Sequence, residues 1–348
     1  MRRLKPPAGF RSILCGIDFS RHSAAALRHA AALARVRSAR LTAVFAVDPL
    51  LSAAAAAAYD TRGLAGTARL ELQRFVRATL GPRGAAAVRC MVAIGKPARV
   101  VLSTAQRLPA DLIVVGTHGL GGIRKVFFGS TTETILRRSS APVLAVPRTC
   151  HTPRRGWPGG VMVATVDLDD NAAAEASAAA ETAKVYGAIL SLVHAVPNLR
   201  LPLWLRLNER AINRSRVALA QEWLGRRIIM SGHHTAPETQ VLVGNKADAI
   251  AAFAATRHAD LLILTLPNSG GLGRFRQGGT AYRLLCSARC PVLVLHVARN
   301  QIGRSRRTPA AARTRPPATA ERRESPGESP YRPPTPSRGL STRHRGSS

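Results

Sequence analysis

Short apolar runs alternate, up to about residue 298, with longer segments rich in Ala and Leu at helical spacing. The runs at residues 13–17, 41–47, 87–94, 111–116 and 142–146 are apolar at successive positions rather than at every second one. A strand covered by helices on both faces needs that pattern, because neither face meets water. Ser23 to Val36, Ala98 to Arg107 and Ser130 to Arg138 carry the helical pattern between runs. Alternation of this kind predicts an α/β fold with an open parallel sheet and right-handed crossovers.

The same pattern then repeats. Ile13 to Asp18 matches Met162 to Asp167, Val44 to Val47 matches Val193 to Val196, and Ile94-Gly95 matches Val243-Gly244. Ala110 to Ile113 matches Ala259 to Leu262, and Pro142 to Leu144 matches Pro291 to Leu293. Each pair is 149 positions apart. A constant offset over five blocks marks a duplicated domain, and the expected division is 1–149, 150–298 and a tail at 299–348. The tail is Arg, Pro, Ser and Thr with few large apolar residues, a composition expected to stay disordered. Leu199 to Leu207 is a short amphipathic patch interrupted by Pro202, expected to pack over its own domain rather than on a membrane or partner.

Composition narrows the class. Forty-six percent apolar residues suffice for a packed core. No run approaches the roughly 18 to 20 apolar residues that cross a bilayer, and Met1 to Phe10 has no signal-peptide core, so a cytoplasmic location is expected. Five cysteines (Cys15, Cys90, Cys150, Cys286, Cys290) in no CxxC spacing fit reduced thiols better than disulfides. Cys286 and Cys290 lack a second ligand pair, so no metal centre is expected. Fifty-one Lys and Arg against 19 Asp and Glu leave a net charge of +32, which favours polyanions: nucleotides, nucleic acid, polyphosphate or an anionic surface.

Candidate chemistry sits after the fourth strand of the first repeat, where Gly116 to Ser130 reads Gly-x2-Gly-x9-Gly-Ser. Open parallel sheets bind ligands beyond the carboxyl ends of their strands. Glycines let backbone approach a phosphate, and Gly129-Ser130 opens a helix whose N–H groups attract anions. Ser130 with Glu133 also reads as a capping box that needs no ligand. Asp18 has a helix-capping alternative, Asp111 reads as a turn or cap residue, His118 reads as an exposed loop histidine before a phosphate contact, and Arg124 and Lys125 are as readily solvated as phosphate-bound.

This motif resembles the nucleotide-binding signature of universal stress proteins, in their ATP-binding branch, and the likeness spans both repeats but not the tail. The resemblance implies two tandem, doubly wound, Rossmann-like domains of five parallel strands in the order 3-2-1-4-5. It implies that Gly116, Gly119, Gly129 and Ser130 contact the phosphates and ribose of ATP. Asp18 would lie beside base and ribose, the backbone around Ala46 would meet the adenine edge, and Mg²⁺ would accompany the triphosphate. In the second repeat Gly116 becomes Thr265, Gly119 becomes Asn268 and Ser130 becomes Gly279, while Gly278 and Asp167 survive. Weak or absent ATP binding is expected there, the second repeat instead pairing with the first as such domains pair in dimers; a homodimer of whole chains stays open.

Three function classes follow. The first is a nucleotide-dependent regulatory or stress-response module with no catalytic residue assigned. The second is a slow ATPase, which the absence of a GxxxxGK[ST] motif and of a carboxylate near the glycine loop disfavours. The third is a polyanion binder, disfavoured by only 4% aromatic residues. Divided by repeat, residues 1–149 hold 23 basic and 6 acidic side chains, net +17. Residues 150–298 hold 16 and 10, net +6, and the tail 12 and 3, net +9. The charge thus splits into a basic first repeat and a basic arm suited to weak polyanion contact.

Overall fold

The computed structural model describes residues 9–50, 52–53, 61–118, 129–147, 149–169, 171–202, 204–205, 207–229, 237–267 and 279–297. Gly119, Arg124, Lys125, Asn268, the loop Ser269 to Gly273, Gly278 and the tail 299–348 lie outside them.

The first repeat runs β1 (Ser12–Ile17), α1 (Arg21–Arg37), β2 (Arg40–Val47), α2 (Thr61–Ala86), β3 (Val88–Ile94), α3 (Pro97–Arg107), β4 (Leu112–Gly116), α4 (Ser130–Arg138) and β5 (Val143–Val146). The second runs β6 (Val161–Thr165), α5 (Ala172–Tyr186), β7 (Ile189–Val196), α6 (Glu209–Ile229), β8 (Glu238–Val243), α7 (Lys246–Thr256), β9 (Leu261–Pro267), α8 (Thr280–Ser287) and β10 (Val292–Val297). All five apolar runs of the first repeat are strands, within a residue or two of the expected bounds. α2 bends at Gly81, whose φ of 73° only glycine adopts at little strain, just before Pro82, which cannot continue the ladder of backbone bonds.

Each repeat is a parallel sheet in the order 3-2-1-4-5, and the two join into one ten-stranded sheet, β3-β2-β1-β4-β5-β10-β9-β6-β7-β8. The seam is antiparallel, pairing Val143 with Val294, Leu144 with Leu293 and Ala145 with Val292. Antiparallel pairing of equivalent strands relates the repeats by a local twofold, the arrangement of an isologous dimer within one chain. Every seam side chain is buried.

Alternate strand residues feed two cores, one on each face. Leu27 of α1, Leu72 and Val76 of α2, Ala176 of α5 and Leu224 of α6 pack on one face with Ile13 and Cys15 of β1. Val101 of α3, Ile135 of α4, Ile250 of α7 and Leu284 of α8 pack on the other with Leu14. This double coverage is the reason the strands are apolar at successive positions.

Asp111 has the structural role its position suggested. Its carboxylate accepts from the backbone N–H of Arg11 at 2.8 Å and Ser12 at 2.9 Å, tying the start of β1 to the start of β4. Asp260 repeats the device by accepting from Gly160 N–H at 2.9 Å. Between the repeats, buried Trp157 donates its indole N–H to the Asp260 carbonyl at 3.0 Å and meets the His29 ring of the first repeat edge-on at 4.8 Å.

Two expectations need correction. The patch after β7 does not pack over its own domain at Trp204, which is 79% exposed, or at Leu207, 56% exposed; Pro202 and the shortness of the segment leave those side chains outside the core. The second correction concerns Ser130. The N-cap of α4 is Gly129, and Ser130 is the first helical residue. Ser130 and Glu133 therefore form no capping box, since Ser130 stands one position too late. Glu133 instead forms an ion pair with Arg137 at 3.4 Å.

No helix among the described residues is long and apolar enough to cross a membrane. No disulfide joins the five cysteines, and burial raises every thiol pKa, to about 11 at Cys150 and about 12 at Cys290. They are neutral at physiological pH, which makes them weak nucleophiles.

Candidate functional site

The crevice of the first repeat opens where β1 and β4, side by side in the sheet, reach their carboxyl ends. Their register pairs Cys15 with Val114, which brings Asp18, just past β1, alongside Gly116 at the end of β4. The chain leaves β1 through Asp18-Phe19-Ser20. Phe19 has φ 62°, a left-handed conformation disfavoured for a bulky residue. Its ring packs on Phe45 at 4.5 Å and Phe75 at 5.5 Å, contacts that offset the strain.

Asp18 does not cap α1. Ser20 is the N-cap, its hydroxyl accepting from Ser23 N–H at 3.1 Å. Asp18 accepts the Ser20 N–H at 3.0 Å through Oδ1. Its Oδ2 takes no hydrogen bond among the described residues, and the residue is half-buried.

Gly116 is required by a close approach of protein. A Cβ built there would stand 2.8 Å from His22 Cβ and 2.9 Å from the His22 carbonyl carbon, in the first turn of α1. The Gly116 carbonyl accepts the Thr132 hydroxyl at 2.7 Å, tying β4 to the first turn of α4. The glycine loop is pinched at its base, where Gly129 N–H donates to the Thr117 carbonyl at 3.1 Å. His118 Nδ1 meets the Thr117 hydroxyl at 2.9 Å, and its ring lies 5.3 Å from that of His22. Burial lowers the His118 pKa, which keeps the ring neutral.

Ser130 is exposed at the first position of α4. The first N–H groups of any helix lack intrahelical acceptors, so this end presents donors and the positive end of the helix dipole. Ser130 and Thr131 also line a groove of about 570 Å³ whose other walls include Lys96, Arg99 and Arg138. These three cations were missed in the sequence, where they look like ordinary surface charges; only the packing of α3 beside α4 assembles them. Ala46 lies near the end of β2, half-buried and paired with Ala93.

The crevice of the second repeat is chemically different. Thr265 replaces Gly116, and α5 starts at Ala172 where the 149 offset would start it at position 170. Gly279 caps α8 without a side-chain bond. Asp167 is exposed and pairs with Lys246 at 3.5 Å.

Two doubly wound sheets in series, each with a crevice at its strand-order switch, define a tandem α/β protein of the crevice-binding class. The chain belongs to the universal stress protein family, whose model matches it twice, at residues 9–147 and 160–296. A universal stress protein of Mycolicibacterium smegmatis is 25% identical over 299 residues, covering 81% of this chain and 96% of the relative. A Thermus aquaticus universal stress protein is 33% identical over 138 residues, covering 39% of this chain and 98% of its own length. The solved structure of a universal stress protein from Archaeoglobus fulgidus matches with a TM-score of 0.55 at 17% identity, covering 82% of this chain and 98% of the other. That likeness is one of fold.

Proposed function

We propose that the first repeat binds ATP, with Mg²⁺ on its phosphates, and that the protein is a nucleotide-dependent regulatory or stress-response module with slow or no turnover. The observation that carries this reading is the start of α4, where uncommitted helix N–H groups and Ser130 open onto a groove walled by Lys96, Arg99 and Arg138. A polyphosphate satisfies both the donors and the cations. Gly116, Gly119, Gly129 and Ser130 would contact the phosphates and ribose, Asp18 would lie beside base and ribose, and the backbone around Ala46 would meet the adenine edge. Gly116 keeps a role in shaping the crevice, since its lack of a Cβ already serves the contact with His22.

Glu133, the acidic residue in the first turn of α4, is engaged by Arg137. The metal would therefore ride on the phosphates, and among the described residues at the start of α4 no carboxylate is poised as a base for hydrolysis, which disfavours the slow-ATPase reading. The division into 1–149, 150–298 and a basic arm at 299–348 belongs to the same proposal. Nucleotide released from denatured protein tests it: ATP is expected from the wild type and not from Gly119→Ala or Ser130→Ala. The groove's cations also suit other polyanions. A steep salt dependence of DNA binding that survives removal of the tail, in a protein that carries no ATP, would replace this reading with the polyanion one.

A further inference from the structure

The crevice of the second repeat has lost the nucleotide motif and gained a different set of polar groups. A cavity of about 260 Å³ opens at the carboxyl ends of β6, β7 and β9. Three buried polar residues lining it stand where the first repeat has an apolar residue or a glycine. Glu175 stands for Ala26, His194 for Phe45 and Thr265 for Gly116. All three are buried: Glu175 is 2% exposed, and His194 and Thr265 are each 7%.

Their hydrogen bonding is incomplete in one direction. Glu175 Oε2 accepts the Asp167 N–H at 2.9 Å, and the carboxylate has the Thr265 hydroxyl as its other polar neighbour. Thr265 Oγ1 is buried with no well-formed hydrogen bond; its hydroxyl leans on the Glu175 carboxylate and leaves its own lone pairs open to the cavity. His194 Nδ1 stands 2.8 Å from the Val166 carbonyl. A carbonyl only accepts, so Nδ1 carries the proton and Nε2 presents a lone pair. Asp167 is already engaged by Lys246. The cavity therefore offers a carboxylate, a hydroxyl and an imidazole nitrogen as acceptors, while Val193, Ile250, Leu264 and Leu284 supply apolar wall. Buried acceptors left unmatched are costly, and the group that matches this set is a compact cation with several N–H donors.

We propose that the second repeat is a binding site for a small primary amine, its ammonium held by Glu175, Thr265 and His194 and its apolar body packed against the aliphatic wall. The size of the cavity admits a single ring or a short alkyl chain. A triphosphate is excluded, because Glu175 places negative charge at the floor of the crevice.

Benzylamine is a suitable probe, with benzyl alcohol and benzoate as its neutral and anionic counterparts. Calorimetric titration of the full chain is expected to show saturable benzylamine binding with Kd of about 1 mM or below at pH 8, and much weaker binding of the other two. The titratable groups facing Glu175 are Asp167 and Asp169 after β6, the neutral His194 on β7 and Lys246 on α7, with the Thr265 hydroxyl on β9. Burial, with the two aspartates adding to it, raises the Glu175 pKa to about 7. The amine stays charged across this range, so affinity should rise about tenfold between pH 6 and pH 8. Glu175→Gln should abolish both binding and its pH dependence, Thr265→Val should weaken binding several-fold, and excess ATP should not compete. Equal binding of benzyl alcohol or benzoate, undiminished binding by Glu175→Gln, displacement by ATP, or no saturable binding at pH 8 would overturn the proposal. If Glu175→Gln does not fold, the pH ratio in wild type and the Thr265→Val titration decide.

Discussion

Glu175 makes a quantitative prediction about stability that does not depend on any ligand. Burial is the largest cause of its raised pKa, the Asp167 N–H and the Thr265 hydroxyl work against it, and the charges of Asp167 and Asp169 add to it. The folded value is about 7 against 4.5 for the free side chain. The folded protein thus holds this proton at pH values where the unfolded chain has released it. Stability from this group is intact below pH 4.5 and is lost as pH rises towards 7. At about 1.4 kcal/mol per pH unit, the full penalty above pH 7 is about 3 kcal/mol. Glu175→Gln keeps an oxygen for the Asp167 N–H and removes the charge, so it should leave stability nearly unchanged near pH 4 and raise it by about 3 kcal/mol at pH 8. Urea unfolding of both proteins at pH 5 and pH 8 measures this, and the gap between them should widen by about 2.5 kcal/mol. Other groups titrate over that range, but they are common to both proteins and cancel in the difference. A gap that stays constant, or that narrows with rising pH, refutes the claim that Glu175 is a buried, incompletely compensated carboxyl.

Other consequences are as direct. Gly116→Ala should destabilise the chain by about 1–3 kcal/mol whether or not nucleotide is present, because the new Cβ meets the His22 backbone; chemical denaturation of the nucleotide-free protein checks it, and an unchanged midpoint would mean that α1 can move aside. Asp111→Ala should cost about 1–3 kcal/mol by leaving the Arg11 and Ser12 N–H groups without their acceptor. Leu144→Ala, at the buried seam where Leu144 meets Leu293, should cost about 2–5 kcal/mol, and unfolding should remain a single transition since both repeats share the sheet. Ser130→Ala should weaken ATP about tenfold or more, the worth of one hydrogen bond to a charged group.

The strands and the helices that carry strong periodicity were legible because the sheet is covered on both faces, which writes itself into the chain as successive apolar positions. The 149-residue offset likewise gave the tandem arrangement, and the antiparallel seam is what two equivalent edge strands form when they meet about a twofold. Local competition among side chains was less legible. Ser20 and Gly129, not Asp18 or Ser130, cap the helices, because the caps depend on where the first turn closes. The need for glycine at position 116 was visible, but its cause was not, since His22 reaches it only through the packing of α1 on β4. Glu175 drew no notice in an Ala-rich helix, although alignment at the offset with Ala26 would have singled it out as a carboxyl at a position built for a methyl group.

The account rests most heavily on the first repeat holding ATP while the second does not. Denaturing the freshly purified chain and quantifying released nucleotide tests that directly, with Gly119→Ala and Ser130→Ala beside the wild type. A single ATP per chain from the wild type, lost from both variants, is the expected result. Absence of ATP together with no binding of added ATP at micromolar concentration, or two nucleotides per chain, would contradict it.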